Sequence, residues 1–184
     1  MIPDALIVDR YRELKNLKLV ADDIGMPWQT VYWRLKRAGE PVTGDKARYG
    51  SDTDRLAARG ERWFGTVIPE AKDQNAVAFQ SKVDFIVRGR RVDVKTSRPS
   101  LTPRRVIQWS WSIKKQESVA DFFVCLALTS RADDAGVHRA LLIPGELARK
   151  YQTIRASHDG QKMTGKWSAY ACTSAELRNF FLEI

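Results

Sequence analysis

Val83-Asp84-Phe85-Ile86-Val87-Arg88-Gly89-Arg90-Arg91-Val92-Asp93-Val94-Lys95 alternates β-branched or aromatic residues with charged ones on both sides of a single glycine. That period of two predicts a β-hairpin. If Gly89-Arg90 is a two-residue loop, the expected pairing sets Val87 opposite Val92, Ile86 opposite Asp93, Phe85 opposite Val94 and Asp84 opposite Lys95. One face is then apolar. The other collects Asp84, Ile86, Asp93 and Lys95, with Arg88 and Arg91 toward the turn. On the wet face of an ordinary hairpin, Asp84 and Lys95 would form a surface ion pair of little weight. Aspartate is disfavoured in strands, however, and two of them in adjacent strands among core-like neighbours point to a functional role.

Outward from the hairpin, strand-like runs are expected at 76–79, 83–88, 91–97, 106–113, 122–129 and 138–143. Ile107-Gln108-Trp109-Ser110-Trp111-Ser112-Ile113 alternates strictly and reads as half-buried, whereas Phe122 to Leu128 is apolar throughout, as a strand covered on both faces would be. The stretch from Ser97 to Arg105 holds two prolines with Arg98, Arg104 and Arg105, and reads as a basic loop beside the acidic face. Ser51, Asp52 or Thr53 is placed to cap a helix running through Glu61 to about residue 65. Further helices are expected at 145–151 and 174–181. The fold class is therefore α/β, a central mixed sheet flanked by helices and preceded by a helical module.

That module spans residues 1–40, with a linker at 41–52 rich in glycine and polar residues and the main domain at 53–184. Its pattern is helical from Ile2 to Ala38, interrupted at Gly25-Met26-Pro27 by a turn and a helix start. The stretch from Leu19 to Gly39 resembles a helix-turn-helix DNA-binding unit. Ala21 would be the small residue where the helices touch, Gly25 the turn, and Val31 and Leu35 the anchors of the second helix. The residues expected on its exposed face are Trp28, Gln29, Thr30, Tyr32, Arg34 and Lys36. Gln29 and Thr30 lie where side chains reach base edges, and Arg34, Lys36 and Arg37 suit phosphates. The bland alternative is a helical hairpin that only packs on a partner.

The chain has 184 residues and a formal net charge of +9. With a pI near 9.8, this implies a polyanionic partner, of which nucleic acid is the commonest. No apolar run approaches the roughly 18 residues needed to span a bilayer, and no secretory leader is evident, so a cytoplasmic protein with no membrane association is expected. Cys125 and Cys172 stand far apart in apolar contexts, and the only histidines are His138 and His158. Neither a zinc site nor a disulfide framework is indicated.

Glu61 on a helix, Asp84, and Asp93-Val94-Lys95 on the next strand resemble the signature of the PD-(D/E)xK nuclease superfamily, especially its Holliday junction resolvase-like and intron-endonuclease-like branches. Lys82-Val83, without proline, precedes Asp84, a departure from the name-giving pattern. The resemblance implies a restriction-endonuclease-like core and a metal-dependent endodeoxyribonuclease. The chemistry agrees: phosphodiester hydrolysis needs charge neutralised at phosphorus, an in-line water and a stabilised leaving oxygen. Mg²⁺, with Mn²⁺ as a substitute, would be held by Asp84, Asp93 and the Val94 carbonyl. Lys95 would position the attacking water or stabilise developing charge. Glu61 would reach the metal through water or bind a second ion, against the alternative of a solvated helical glutamate, with Glu70 as the fallback carboxylate.

The expected function is thus a Mg²⁺-dependent DNA endonuclease whose helix-turn-helix helps hold DNA. Two copies of one active site cut two strands most simply, so a homodimer or higher homo-oligomer is expected. Junction, homing, restriction-like and repair endonucleases all satisfy this description. The rival is a non-catalytic DNA-binding regulator on a nuclease-like scaffold. A third reading takes RNA as substrate, which the helix-turn-helix disfavours because the A-form major groove does not admit side chains.

Overall fold

The computed structural model describes residues 2–42, 50–76, 81–113, 118–160 and 162–184. The strand expected at 76–79 falls on a turn residue, Ala76, and otherwise outside the described residues, as does most of the expected linker. The chain is mixed α/β and divides into two compact units, Met1–Arg55 with Gln74–Ser81, and Leu56–Asp73 with Lys82–Ile184. No helix among the described residues is long and apolar enough to cross a membrane.

Among the described residues the first unit holds three helices, α1 (Asp4–Leu14), α2 (Leu17–Ile24) and α3 (Trp28–Arg37). The sequence pattern had suggested an uninterrupted run up to Gly25, but it breaks at Lys15, whose φ of 49° is left-handed, and Asn16 caps α2 by accepting from the Lys18 and Leu19 amides. Apolar periodicity survives such a break because both helices bury the same kind of residue. Ile7 and Tyr11 of α1 meet Val20 and Ala21 of α2 and Val31 and Leu35 of α3 in one core. Gly25, at φ 66°, makes the turn between α2 and α3, where a side chain would be strained.

Among the described residues the second unit contains two sheets, where the sequence suggests one. Helix α4 (Asp52–Val67) begins where Ser51 and Asp54 cap each other, its first turn lying in the first unit. The larger sheet has β1 (Lys72–Asp73), β2 (Phe85–Val87), β3 (Arg90–Ser97), β6 (Phe122–Leu128), β7 (Val137–Pro144) and β10 (Ala171–Cys172), adjacent in that order. The smaller has β4 (Ser100–Leu101), β5 (Ile107–Ser112), β8 (Thr153–His158) and β9 (Met163–Thr164). A short helix α5 (Gly145–Ala148) follows β7, a 3₁₀ turn spans Lys166–Tyr170, and α6 (Ser174–Glu183) starts at a capping box between Thr173 and Glu176.

One face of the larger sheet, carrying Phe85, Val87, Val92, Val94, Val124 and Leu126, is covered by Phe64 and Ile68 of α4 and Leu177 and Phe181 of α6. The other face presents Phe123, Cys125 and Leu141 to Trp109 and Trp111 of β5. Both indoles are satisfied on β6, Trp109 donating to the Leu128 carbonyl at 2.9 Å and Trp111 to that of Leu126 at 3.1 Å. β6 is buried on both faces for this reason. The segment between Ser97 and Ile107 is a limb of the smaller sheet, with β4 antiparallel to β5, instead of a free loop.

Candidate active site

β2 and β3 pair as Phe85 with Val92, Ile86 with Arg91 and Val87 with Arg90, so the loop is Arg88-Gly89 and the expected Gly89-Arg90 loop is displaced by one residue. Both loop residues have positive φ, 48° and 81°, the primed turn whose twist suits a hairpin. Moving the loop by one residue shifts every cross-strand partner by two. The faces therefore keep their composition, but Asp84 loses Lys95 as its opposite number. One step beyond the Phe85–Val92 pair, the Asp84 amide donates to the Val92 carbonyl at 3.1 Å and Asp84 comes alongside Asp93.

The Asp84 carboxylate accepts from the Val94 amide at 2.8 Å. The N–H and C=O of one strand residue point to the same side, so the Val94 carbonyl shares that side of β3 with Asp84, past the start of β2. Lys95 instead bonds along its own strand to Asp93, its ammonium donating at 2.5 Å. At the opposite edge of β3, the Arg91 guanidinium and amide hold Asp121, and the Asp121 amide donates to the Arg91 carbonyl at 2.7 Å. This clamp starts the parallel ladder to β6 and aligns Asp93 with Phe123 and Lys95 with Cys125.

Asp93 is 9% exposed. Burial, with Asp84 adding to it and Lys95 opposing, pushes its pKa up to about 6. For Lys95, burial favours the neutral amine, but Asp93 and then Asp84 outweigh it and the pKa is raised. The side chain is an ammonium at neutral pH, able to position and to neutralise but not to act as a base. Burial also raises the pKa of the neighbouring Cys125 thiol, making it unreactive.

Glu61 is half-buried on α4. A Cβ on its neighbour Gly60 would lie 1.8 Å from the Thr96 hydroxyl, and Phe64 sits 4.9 Å from Phe85 ring to ring. These contacts dock α4 on the face of Val92, Val94 and Thr96, opposite that of Asp93 and Lys95. Among the described residues no three His, Cys, Asp or Glu side chains form a group able to hold a metal. Asp84 and Asp93 are brought together; Glu61 does not make a third with them, and Glu70 lies exposed in the turn after α4. Two carboxylates and a backbone carbonyl fit a hard cation that keeps much of its water, as Mg²⁺ does.

Of the residues expected to face DNA, Trp28, Gln29, Thr30 and Lys36 are exposed on α3 and Tyr32 is half-buried. Arg34 is not on the exposed face: it donates to the Asp4 carboxylate and the Ile2 carbonyl, tying α3 to the N-terminal turn. Arg37 joins it, and these two, Arg37 first, hold the Asp4 carboxyl below its usual pKa. Trp33, 69% exposed, was missing from the expected set. It lies midway between the buried anchors Val31 and Leu35, so helical phase alone turns it outward. Arg98 is paired with Asp133 at 2.7 Å, whereas Arg104 and Arg105 are exposed in the turn joining β4 to β5. No family model, curated protein or solved structure matches the chain.

Proposed function

We propose that this chain is a Mg²⁺-dependent endodeoxyribonuclease of the restriction-endonuclease-like type, with α3 of a helix-turn-helix contributing to DNA binding. The observation that carries the reading is the Asp84–Asp93 carboxylate pair with the Lys95 ammonium bonded to Asp93. Two acids side by side, one largely buried, make ionisation of the buried one costly, and a cation bound between them would offset that cost. A bound Mg²⁺ would supply Lewis-acid stabilisation of the phosphate and activation of water.

Asp84 and Asp93, with the Val94 carbonyl beside them, would hold the ion. The Val94 amide orients Asp84, and the Arg91–Asp121 clamp keeps β3 in register. Once its carboxylate partner is engaged, Lys95 would face the scissile phosphate and offset the charge that builds on it. Gln29, Thr30 and Trp33 suit base edges and Lys36 a phosphate. A duplex with a readable major groove favours DNA over RNA.

Purified protein with Mg²⁺ is expected to nick plasmid or cut branched DNA, and Asp84→Asn and Asp93→Asn should each abolish cleavage while leaving DNA binding intact. Unchanged cleavage by both variants would sink the assignment. The non-catalytic regulator draws on one observation, that the Lys95–Asp93 pair compensates charge without a cation. It requires DNA binding in EDTA and no product with Mg²⁺ or Mn²⁺.

A further inference from the structure

The inner row of β5 runs Ile113, Trp111, Trp109, Ile107, and its cover fails abruptly along the strand. Trp111 and Trp109 are 1% and 2% exposed, but Ile107 is 38% and its direct cross-strand partner Leu101 is 70%. The β4–β5 hairpin therefore overhangs the core it covers. Where an apolar row runs past its core, polar residues are the usual choice. Here Leu101 and Ile107 remain, with Val106 beside them at 36%.

The turn that closes this overhang is rigid and cationic. Thr102 pins it three ways: its amide donates to the Val106 carbonyl at 3.0 Å, its carbonyl accepts from the Arg105 amide at 2.8 Å, and its hydroxyl accepts from the Val106 amide at 3.1 Å. Arg105 is held at a φ of 59°, a strained conformation for a non-glycine residue. Both Arg104 and Arg105 are exposed, and neither forms an ion pair among the described residues. The base of the hairpin is tied to the catalytic strand, the Ser110 amide donating to the Ser97 hydroxyl at 3.1 Å, two residues along from Lys95.

We infer that the β4–β5 hairpin is a DNA-deforming arm, in which Arg104 and Arg105 grip phosphates or a narrow minor groove while Leu101 and Ile107 wedge against a base step. An apolar pair flanked by arginines on a stiff projection is the chemistry that unstacks and kinks a duplex. A second copy of this chain is the competing occupant, since β4 is an edge strand. That copy also carries a net +9 and would repel the cationic turn on balance, whereas a phosphate backbone attracts it. A wedge on the unit that also carries Asp84 and Asp93 would act on the duplex that unit holds, and flexible or branched DNA would yield to it most easily. The inference rests on the DNA reading above but not on catalysis.

The test uses the full chain in EDTA with short duplexes carrying 2-aminopurine at successive steps. On binding, fluorescence should rise several-fold at one step, and Leu101→Ser/Ile107→Ser should remove the rise and weaken binding about tenfold. Arg104→Ala/Arg105→Ala should weaken binding and flatten the log K against log salt slope by about 2. Thermal melting would show that the exposed substitutions leave the fold intact. Wild-type binding with no unstacked step would overturn the arm while leaving the DNA reading in place. So would a Leu101→Ser/Ile107→Ser variant that keeps the fluorescence rise, or one that loses a dimer in sedimentation with DNA affinity unchanged. A wild-type chain that binds no duplex would remove both.

Discussion

Asp93 ionises against the cost of its burial, which with Asp84 alongside pushes its pKa up to about 6. The folded chain therefore holds this proton more tightly than the unfolded chain, whose aspartates titrate near 3.9. Its contribution to the stability of the metal-free protein is complete below that value and is lost as pH rises through about 6. Cation binding needs the ionised form and has the opposite dependence. Cleavage with Mg²⁺ should climb by about tenfold per pH unit below Asp93's pKa and level off above it. Mg²⁺ should also raise the melting temperature more at about pH 7.5 than at about pH 5. A flat profile through the acid range would remove Asp93 from the ligand set. That Asp84, Asp93 and Lys95 share a face was legible, because the strand period of two survives any shift by an even number of residues. Which pairs with which was not, because that depends on where Arg88-Gly89 turns the chain.

Helix α4 lies on the sheet through Gly60, whose missing side chain lets the helix approach Thr96 and Leu126. An added Cβ would meet the stiff, β-branched Thr96 at 1.8 Å. Gly60→Ala should cost about 1–3 kcal/mol in urea unfolding, with overpacking outweighing the roughly 1 kcal/mol that alanine gains in a helix. Gly60→Ala/Thr96→Ala should recover much of the loss, and a double-mutant cycle with no coupling would show that the two do not meet. Elements with a strong local pattern, such as the periodic α3 and the uniformly apolar β6, were readable. The second sheet was not, because β4 and β9 are two residues long and β8 turns only Ile154 and Ala156 inward. Arg34 shows the same limit: its basic side chain reads as a phosphate contact until Asp4, 30 residues away, is seen to hold it.

Charge is distributed unequally between the two parts of the chain. Residues 56–184 carry 21 Lys and Arg against 13 Asp and Glu, whereas residues 1–55 carry 10 against 9. The positive field belongs to the unit with the acid pair, so salt should weaken DNA binding mainly through that unit. If two strands are cut by two copies of one site, sedimentation of the DNA-bound protein should give a homodimer, and a monodisperse monomer on cut DNA would refute it. By itself the sequence determined the apolar and acidic faces of the hairpin, the helical module with its glycine turn, the buried central strand and the basic character of the chain. These follow from local periodicity, turn chemistry and composition, which neighbours along the chain are enough to express. Only the tertiary structure decided that Asp84 stands beside Asp93, that the helix carrying Glu61 docks on the opposite face of the sheet, that Arg34 is held by Asp4, and that Leu101 and Ile107 overhang the core. Each depends on partners far apart in sequence, and burial and pairing between such partners exist only once the sheets and helices have packed.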